Sequence, residues 1–211
     1  MKTIYFVRHG ETDGNIGGFW QGPNQPLNHK GKQQVEALAS RAQNLPLDRV
    51  FVSTMARARE TADIMFENTQ FSLESNALFV ENKDPSSVYS DGPDIADHAL
   101  IEEFKQQRDL HKRDAQWRFE DEENIADFMQ RIVKAKEFLS KQPESKIMVV
   151  SHGNFIRCLA GHVVTNGNYS LEEASEFKHR FKTTNTGVTV FLVDGPDWQL
   201  LTWNDHAHFA E

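Results

Sequence analysis

The chain has 211 residues, 38% of them hydrophobic, and its 31 acidic and 23 basic residues give a net charge of −8. This length suits one domain with a sizeable core, and the negative charge argues against general nucleic-acid binding because an acidic surface repels a polyanion. A single cysteine, Cys158, excludes an internal disulfide and a zinc site built on several cysteines.

The N-terminal apolar run, Ile4-Tyr5-Phe6-Val7, is too short for the hydrophobic region of a signal peptide. No other stretch approaches the roughly 20 apolar residues that are needed to span a bilayer. We therefore expect a soluble cytoplasmic protein that has no membrane or nucleic-acid partner.

Hydrophobic periodicity and turn residues predict the elements of the chain in order. In the first half they predict a strand at 3–7, a loop at 13–28, a helix at 30–44, a strand at 49–53, a helix at 55–66 and a strand within 71–80. In the second half they predict a turn-rich segment at 85–94, helices at 95–120 and 122–142, a strand at 146–150, a helix at 154–163, and strands at 187–193 and 199–203.

This alternation of strands and helices favours an α/β fold, a three-layer α/β/α sandwich with a mostly parallel central sheet. The chain has no internal repeat and no clear linker, so residues 1–211 are expected to form a single domain. The segment at 82–120 has the most polar composition. We interpret it as an insertion that covers the functional edge of the sheet.

Three of the predicted strands end in a cation or an imidazole. The first strand runs into Arg8-His9-Gly10-Glu11, Arg57 follows the second strand at the start of a helix, and Ser151-His152-Gly153 follows the strand at 146–150. Open α/β sheets bind ligands just outside the carboxyl ends of their strands. These side chains are therefore expected to meet at one edge of the sheet.

These residue types match a phosphoryl group, which carries about two negative charges and three acceptor oxygens. The planar guanidinium groups of Arg8 and Arg57 can each donate two hydrogen bonds to it. The helix that follows His152 adds backbone N–H groups and the positive end of its dipole. A neutral His9 imidazole has a free nitrogen lone pair for attack on phosphorus, and a backbone carbonyl at its other ring nitrogen would fix the tautomer.

The same residues resemble the signature of the histidine phosphatase superfamily, the phosphoglycerate mutase-like proteins. The similarity lies in Arg8-His9-Gly10-Glu11-Thr12 with Asn15, Gln21-Gly22, Pro26-Leu27, Arg57-Ala58 with Thr61, Ser151-His152-Gly153, and Trp203-Asn204-Asp205 with His208. This ordered set touches both ends of the chain. It implies a phosphoglycerate mutase-like fold.

The resemblance implies that His9 is the nucleophile and becomes a phosphohistidine. The residues that it assigns to binding the phosphoryl group or to lining its pocket are Arg8, Arg57, His152, Asn15, Gln21 and Gly22. No metal and no other cofactor is expected, because the guanidinium groups neutralise the charge that metal ions handle elsewhere. Arg59 is either a second phosphate ligand or a helix-surface residue, and the match that ends in Thr61 points to Arg57 as the ligand.

The residue that protonates the leaving group departs from the usual pattern of the family. The Glu-rich stretch followed by Gly and Trp is absent, and Glu81 instead follows the apolar run Leu78-Phe79-Val80, with Pro85-Ser86 four residues later. This arrangement resembles a less common variant. Glu81 is therefore expected to be the general acid, with Asp84 and Glu74 as alternatives.

These observations lead to the hypothesis of a phosphomonoester hydrolase that acts on a small phosphorylated metabolite. A mutase, which returns the phosphoryl group to a sugar acid, is the first alternative. The short segment between Glu81 and His152 and the altered surroundings of the acid both favour hydrolysis. A non-catalytic binder of a phosphorylated ligand is the second alternative, and it would require that one catalytic group be missing.

Overall fold

A computed structural model describes residues 1–90, 92, 96–168 and 170–209. The described residues form six strands: Lys2–Arg8 (β1), Arg49–Val52 (β2), Leu73–Ser75 (β3), Lys146–Ser151 (β4), Val188–Asp194 (β5) and Asp197–Asp205 (β6). They form α-helices at Asp13–Gly17 (α1), His29–Gln43 (α2), Ala56–Phe66 (α3), His98–Leu110 (α4), Ile125–Lys141 (α5), Gly153–Val164 (α6) and Leu171–Arg180 (α7).

The six strands make one sheet in the order β3-β2-β4-β1-β5-β6. The strands β3, β2, β4 and β1 are parallel to one another. β5 pairs antiparallel with β1, and β6 pairs antiparallel with β5. β4 is central, and its residues from Ile147 onward are buried, as expected for a strand that is covered on both faces. The predicted α/β class with a mostly parallel central sheet is confirmed.

The register of the parallel strands brings three strand ends level with one another. Arg8 of β1 lies opposite Ser151 of β4, and Val52 of β2 lies opposite Val150 of β4. The carboxyl ends of parallel strands point to the same edge of a sheet, so the residues that follow them share that edge. His9 is one of these residues, and the backbone N–H of His9 donates to the carbonyl of Ser151 at 3.0 Å.

Two hydrophobic cores, one on each face of the sheet, fix the layers. Helices α5 and α6 cover one face and α2 and α3 cover the other. Successive residues of β1 alternate between the cores: Phe6 packs edge-on against Phe191 at 5.8 Å between ring centroids, whereas Val7 belongs to the opposite core. Each fully buried side chain of this size contributes about 1.5–3 kcal/mol relative to exposure. In the described ranges, no helix combines the length and apolarity that crossing a membrane requires.

A third, smaller cluster lies within the polar segment that follows β3. Val88, Ile101 and Phe104 are buried there, and Trp20 and Phe119 pack against them. The ring of Trp20 meets Phe104 at 5.9 Å between centroids. This contact ties the loop after β1 to helix α4.

The loop predicted at 13–28 begins with a helix, α1, that the abundance of glycine concealed. Thr12 caps this helix: its hydroxyl accepts from the backbone N–H of Asn15, and the Asn15 side chain accepts from the backbone N–H of Thr12. This reciprocal capping box satisfies backbone donors that would otherwise lack partners, and it stabilises even a single turn.

Two other predicted elements differ from the structure, and one helix was not predicted. The helix predicted at 95–120 starts at His98 and ends at Leu110, since turns follow from His111 onward; the predictions for residues 91 and 93–95 lie outside the described residues. The strand predicted within 71–80 is limited to β3 and gives way to a 3₁₀ turn at Ala77–Phe79, which the Asn76 side chain caps. Helix α7 was not predicted, because its ten residues include only three apolar ones, Leu171, Ala174 and Phe177.

Candidate active site

A cleft of about 410 Å³ opens at the edge of the sheet where β1, β2 and β4 end. The described residues that line it are Arg8, His9, Gly14, Asn15, Gly18, Phe19, Trp20, Gln21, Met55, Arg57, Glu81, Asn82, Asp84, Tyr89, Gly153, Asn154, Arg157 and Thr183. The cleft therefore brings together cations, an imidazole and carboxylates that are far apart in the sequence.

His9 lies at the base of this cleft and is only 3% exposed. Its Nδ1 is 2.7 Å from the carbonyl oxygen of Gly10. A carbonyl can only accept, so this contact selects the tautomer with the proton on Nδ1 and leaves the lone pair on Nε2. The backbone carbonyl of His9 accepts from the Asn185 side chain at 3.0 Å, which further fixes the residue.

His152 faces His9, with 5.1 Å between the centroids of the two rings. It is fully buried, and it occupies the position that precedes the first turn of α6. Its Nε2 is 2.7 Å from the Ser53 hydroxyl, which follows β2, whereas its Nδ1 is buried without a hydrogen-bond partner among the described residues. Ser53 orients this ring, and the sequence analysis missed it although it stands at a strand end.

Arg8 and Arg57 supply positive charge on either side of the imidazoles. Arg8 donates from Nη1 to the Thr183 carbonyl at 2.6 Å, and Arg57 donates from Nη1 to the Gly22 carbonyl at 3.0 Å. The Nε atoms of both are buried and have no hydrogen-bond partner within the described part of the chain. Two largely desolvated guanidinium groups that line one cleft make a strong site for an anion, because a buried cation is costly without a charge partner.

Burial sets the charge state of this cluster. It lowers the pKa of His9 and of His152 well below the usual value near 6.5, and the positive charge of Arg57 lowers both further. Burial also lowers the pKa of Arg8 to about 10, so Arg8 stays protonated at neutral pH. At pH 7 the site therefore holds two neutral imidazoles beside charged guanidinium groups.

The lowered histidine pKa predicts how stability depends on pH. Below about pH 6.5 the histidine is protonated in the unfolded chain but stays neutral in the folded protein. The free energy of unfolding should therefore have its full value above that pH and should decrease below it. Each such histidine contributes about 1.4 kcal/mol per pH unit to the decline. In phosphate-free urea titrations from about pH 7.5 to 5, His9→Gln should decline less steeply than the wild type by that amount. Parallel declines would contradict a neutral His9.

Glu81 reaches the cleft from the irregular segment after β3. One carboxylate oxygen accepts from the backbone N–H groups of Asn82 and Phe155, both at 3.0 Å, and the other accepts from that of Asn154 at 2.9 Å. Two of these donors belong to the first turn of α6. The carboxylate is thereby held next to the helix that His152 precedes.

The alternative residues for the acid and the second arginine are placed differently. Asp84 lines the cleft, but its carboxylate is bound by Arg108 at 2.6 Å. Glu74 lies on β3, where it forms an ion pair with Arg49, and it does not line the cleft. Arg59 is exposed. Among the alternatives, the geometry therefore favours Glu81 as the acid and Arg57 as the anion ligand.

The loop after His9 shapes the entrance to the cleft. Asn15 lines it and accepts from the Asn185 side chain at 3.1 Å. Gln21 also lines it and accepts from the Thr12 hydroxyl; it packs so closely on Gly14 that a Cβ there would lie 2.1 Å from the Gln21 side chain. Gly22 is absent from the lining and contributes its carbonyl to Arg57.

Part of the cleft lining consists of residues that no sequence pattern assigned to the site. Phe19, Trp20, Met55 and Tyr89 make this part apolar and aromatic. Burial raises the pKa of Tyr89 to about 12, so its phenol keeps its proton and can donate a hydrogen bond. No local motif marks these positions, because they meet only in the folded chain. In the described part of the chain, no three His, Cys, Asp or Glu residues cluster closely enough to hold a metal ion.

The chain is similar to known proteins over most of its length. A profile of the histidine phosphatase superfamily (branch 1) matches residues 4–206. A protein of Escherichia coli O1:K1 that is named "Probable phosphoglycerate mutase GpmB" is 29% identical over 175 residues, covering 78% of this chain and 75% of the relative.

Solved structures show the same fold at lower sequence identity. Bacillus stearothermophilus YhfR superposes with a TM-score of 0.81 at 23% identity, over 99% of both chains. The α-ribazole phosphatase of Shigella flexneri superposes with a TM-score of 0.76 at 21% identity, over 97% of this chain and 96% of that one. At such identities the likeness shows the fold.

Proposed function

Because the chain belongs to the histidine phosphatase superfamily, we propose that it is a phosphomonoester hydrolase that works through a phosphohistidine on a small phosphorylated metabolite. The observation that carries this proposal is the convergence on one cleft of the neutral His9 imidazole and the guanidinium groups of Arg8 and Arg57. A phosphoryl group would supply acceptor oxygens for these donors.

In the first step, the Nε2 lone pair of His9 attacks phosphorus and the bond from phosphorus to the ester oxygen breaks. The leaving oxygen takes a proton from the Glu81 carboxylic acid and departs as the alcohol. Arg8 and Arg57 stabilise the negative charge on the transferring group. The Gly10 carbonyl, which accepts from Nδ1, stabilises the positive charge that develops on the His9 ring.

In the second step, water attacks the phosphohistidine while the Glu81 carboxylate takes the proton of the water. The bond between phosphorus and Nε2 breaks, so phosphate leaves and the His9 ring is neutral again. Glu81 has regained its proton, and the cycle closes without another reactant. The same carboxylate therefore serves as acid and then as base.

Mutase activity is the alternative that a specific comparison supports, because the E. coli relative is named as a phosphoglycerate mutase. A mutase shares the first step and differs in which hydroxyl receives the phosphoryl group. The name of the Shigella structure supports hydrolysis instead. The position of Glu81 in the cleft weighs against a binder that lacks an acid.

Phosphate release measured beside isomerisation tests the proposed reaction. We expect the purified protein, assayed with a metal chelator present, to release phosphate from para-nitrophenyl phosphate, since guanidinium groups neutralise the phosphoryl charge. With a phosphoglycerate, phosphate release should outpace isomerisation when both are followed by ³¹P NMR. Faster isomerisation would establish the mutase, and loss of turnover on chelation would contradict metal-independent chemistry.

We propose further that residues 1–211 are one domain in which the segment 82–120 covers the active site. Supporting this, Asp84 and Tyr89 line the cleft and the cluster around Phe104 packs on Trp20. A cytoplasmic location, without nucleic-acid or membrane partners, is also our proposal. The acidic composition and the lone Cys158 are its support.

A further inference from the structure

Every N–H group of the Arg131 guanidinium, on helix α5, has an acceptor. Nε donates to Glu123 at 2.7 Å, and Nη2 donates to Glu123 at 2.5 Å and to the Glu81 carbonyl at 3.1 Å. Nη1 donates to the carbonyls of Leu78 at 3.1 Å and Val80 at 2.7 Å. We call Arg131, Glu123 and these three carbonyls the Arg131 clamp.

The Arg131 clamp is shielded from water. The side chains of Arg131 and Glu123 are each 12% exposed, and the guanidinium lies 4.9 Å from the Phe128 ring centroid and 5.8 Å from that of Phe155. The backbone N–H of Glu123 also donates to the Lys83 carbonyl at 2.8 Å. The two residues therefore hold the chain on both sides of Glu81.

The segment that the clamp holds has little regular structure of its own. Between the end of β3 at Ser75 and Asp84, the only helical element is the 3₁₀ turn at Ala77–Phe79, and no strand ladder fixes residues 80–84. The Ser151 hydroxyl donates to the Phe79 carbonyl at 2.8 Å, but this contact precedes Glu81 by two residues. Arg131 supplies the backbone hydrogen bonds that a sheet would supply elsewhere.

We propose that Arg131, held in place by Glu123, is a positioning residue that aims the Glu81 carboxyl group at the leaving oxygen. The inference rests on the proposed function, because Arg131 can have this role only if Glu81 transfers a proton. A displacement of about 1 Å at a reacting group can cost roughly a hundredfold in rate. Lysine cannot replace Arg131, since an ammonium lacks the planar fork that reaches a carboxylate and three carbonyls together.

The test compares leaving groups in Arg131→Met, which retains bulk beside Phe128 and Phe155. An alkyl phosphate needs its leaving oxygen protonated, whereas para-nitrophenolate departs without help. We expect kcat/KM for an alkyl phosphate to fall by about a hundredfold and that for para-nitrophenyl phosphate by less than about threefold. Arg118→Met removes an exposed ion pair with Asp127 and is the matched control; it should leave both values at the wild-type level.

A double-mutant cycle separates positioning from general support of the fold. In a Glu81→Gln background, Arg131→Met should lower kcat/KM for the alkyl phosphate by less than about threefold, because the group it positions is already gone. Equal losses on both substrates, or losses that simply multiply with that of Glu81→Gln, would overturn the inference. Failure of the proposed function looks different, since the wild type itself would then not hydrolyse either ester.

Glu123→Gln provides a second test in case Arg131→Met does not fold. Glutamine keeps the shape of Glu123 but has a single acceptor for the two N–H groups that Arg131 directs at it. If thermal melting shows Arg131→Met to be unfolded, Glu123→Gln should still lose kcat/KM for alkyl phosphates selectively, by about tenfold. An unchanged ratio of alkyl to aryl kcat/KM in a folded Glu123→Gln protein would refute the clamp.

Discussion

His9→Ala is expected to lower kcat/KM for para-nitrophenyl phosphate by roughly 10⁴-fold or more, because the substitution removes the atom that bonds to phosphorus. No neighbour can take over the attack. His152 lies with its ring centroid 5.1 Å from that of His9, but its Nε2 is 2.7 Å from the Ser53 hydroxyl and the residue does not line the cleft. Loss of the nucleophile should leave phosphate binding at Arg8 and Arg57 largely intact.

Trapping of the intermediate supplies an independent readout for His9. Rapid quenching of the wild type in alkali should preserve a phosphohistidine, which intact-mass analysis detects as one added phosphoryl group, and peptide mapping should place it on His9. His111→Ala, which removes an exposed histidine outside the cleft, is the control and should behave as the wild type. Wild-type turnover in His9→Ala would falsify the nucleophile assignment.

Glu81→Gln should lower kcat/KM for alkyl phosphates by about 10²–10³-fold, the usual contribution of a general acid, and affect para-nitrophenyl phosphate far less. The reason is that kcat/KM reports only the steps up to phosphoryl transfer, in which an aryl leaving group needs no proton. Glutamine keeps the size of Glu81, and its single carbonyl oxygen can still accept from the N–H groups of Asn82 and Phe155. Its NH2 group, however, cannot accept from Asn154.

The second step gives Glu81→Gln a further signature with the aryl substrate. Without a base to activate water, hydrolysis of the phosphohistidine should slow, so para-nitrophenol should appear in a burst that is followed by slow turnover. Asp84→Asn, at a cleft carboxylate already bound to Arg108, is the matched control and should show no burst. A burst in Asp84→Asn and none in Glu81→Gln would transfer the acid and base roles to Asp84.

The cationic half of the site could be predicted from sequence because each member stands next to a strand end. A short apolar run followed by Arg8-His9, and another followed by His152, locate these side chains once the strands are taken as parallel neighbours. Arg57 is the second residue of the helix after β2 and lies five residues beyond the strand end at Val52, so the same rule finds it less directly. Local sequence is enough to predict these positions, because the pairing of neighbouring strands brings their ends together.

The position of the proposed acid, Glu81, could not be predicted from strand ends. Glu81 lies in a segment without strand or helix, and its position depends on Arg131, 50 residues later, and on the first turn of α6. Such long-range hydrogen bonds leave no periodic pattern in a sequence. The aromatic lining residues Trp20 and Tyr89 could not be predicted for the same reason, since packing between distant loops brings them together.

The cleft is lined partly by residues at strand ends and partly by residues in connecting segments. This difference affects how the cleft can change during evolution. Arg8, His9 and His152 lie at or directly beyond the ends of paired strands, where an insertion or deletion would disrupt the register, and Arg57 lies at the start of the helix that follows β2. The aromatic lining residues belong to connecting segments, which tolerate changes of length and composition. Under the proposed function, changes in these connecting segments would alter which phosphorylated metabolite the cleft accepts, while the residues that transfer the phosphoryl group would stay in place.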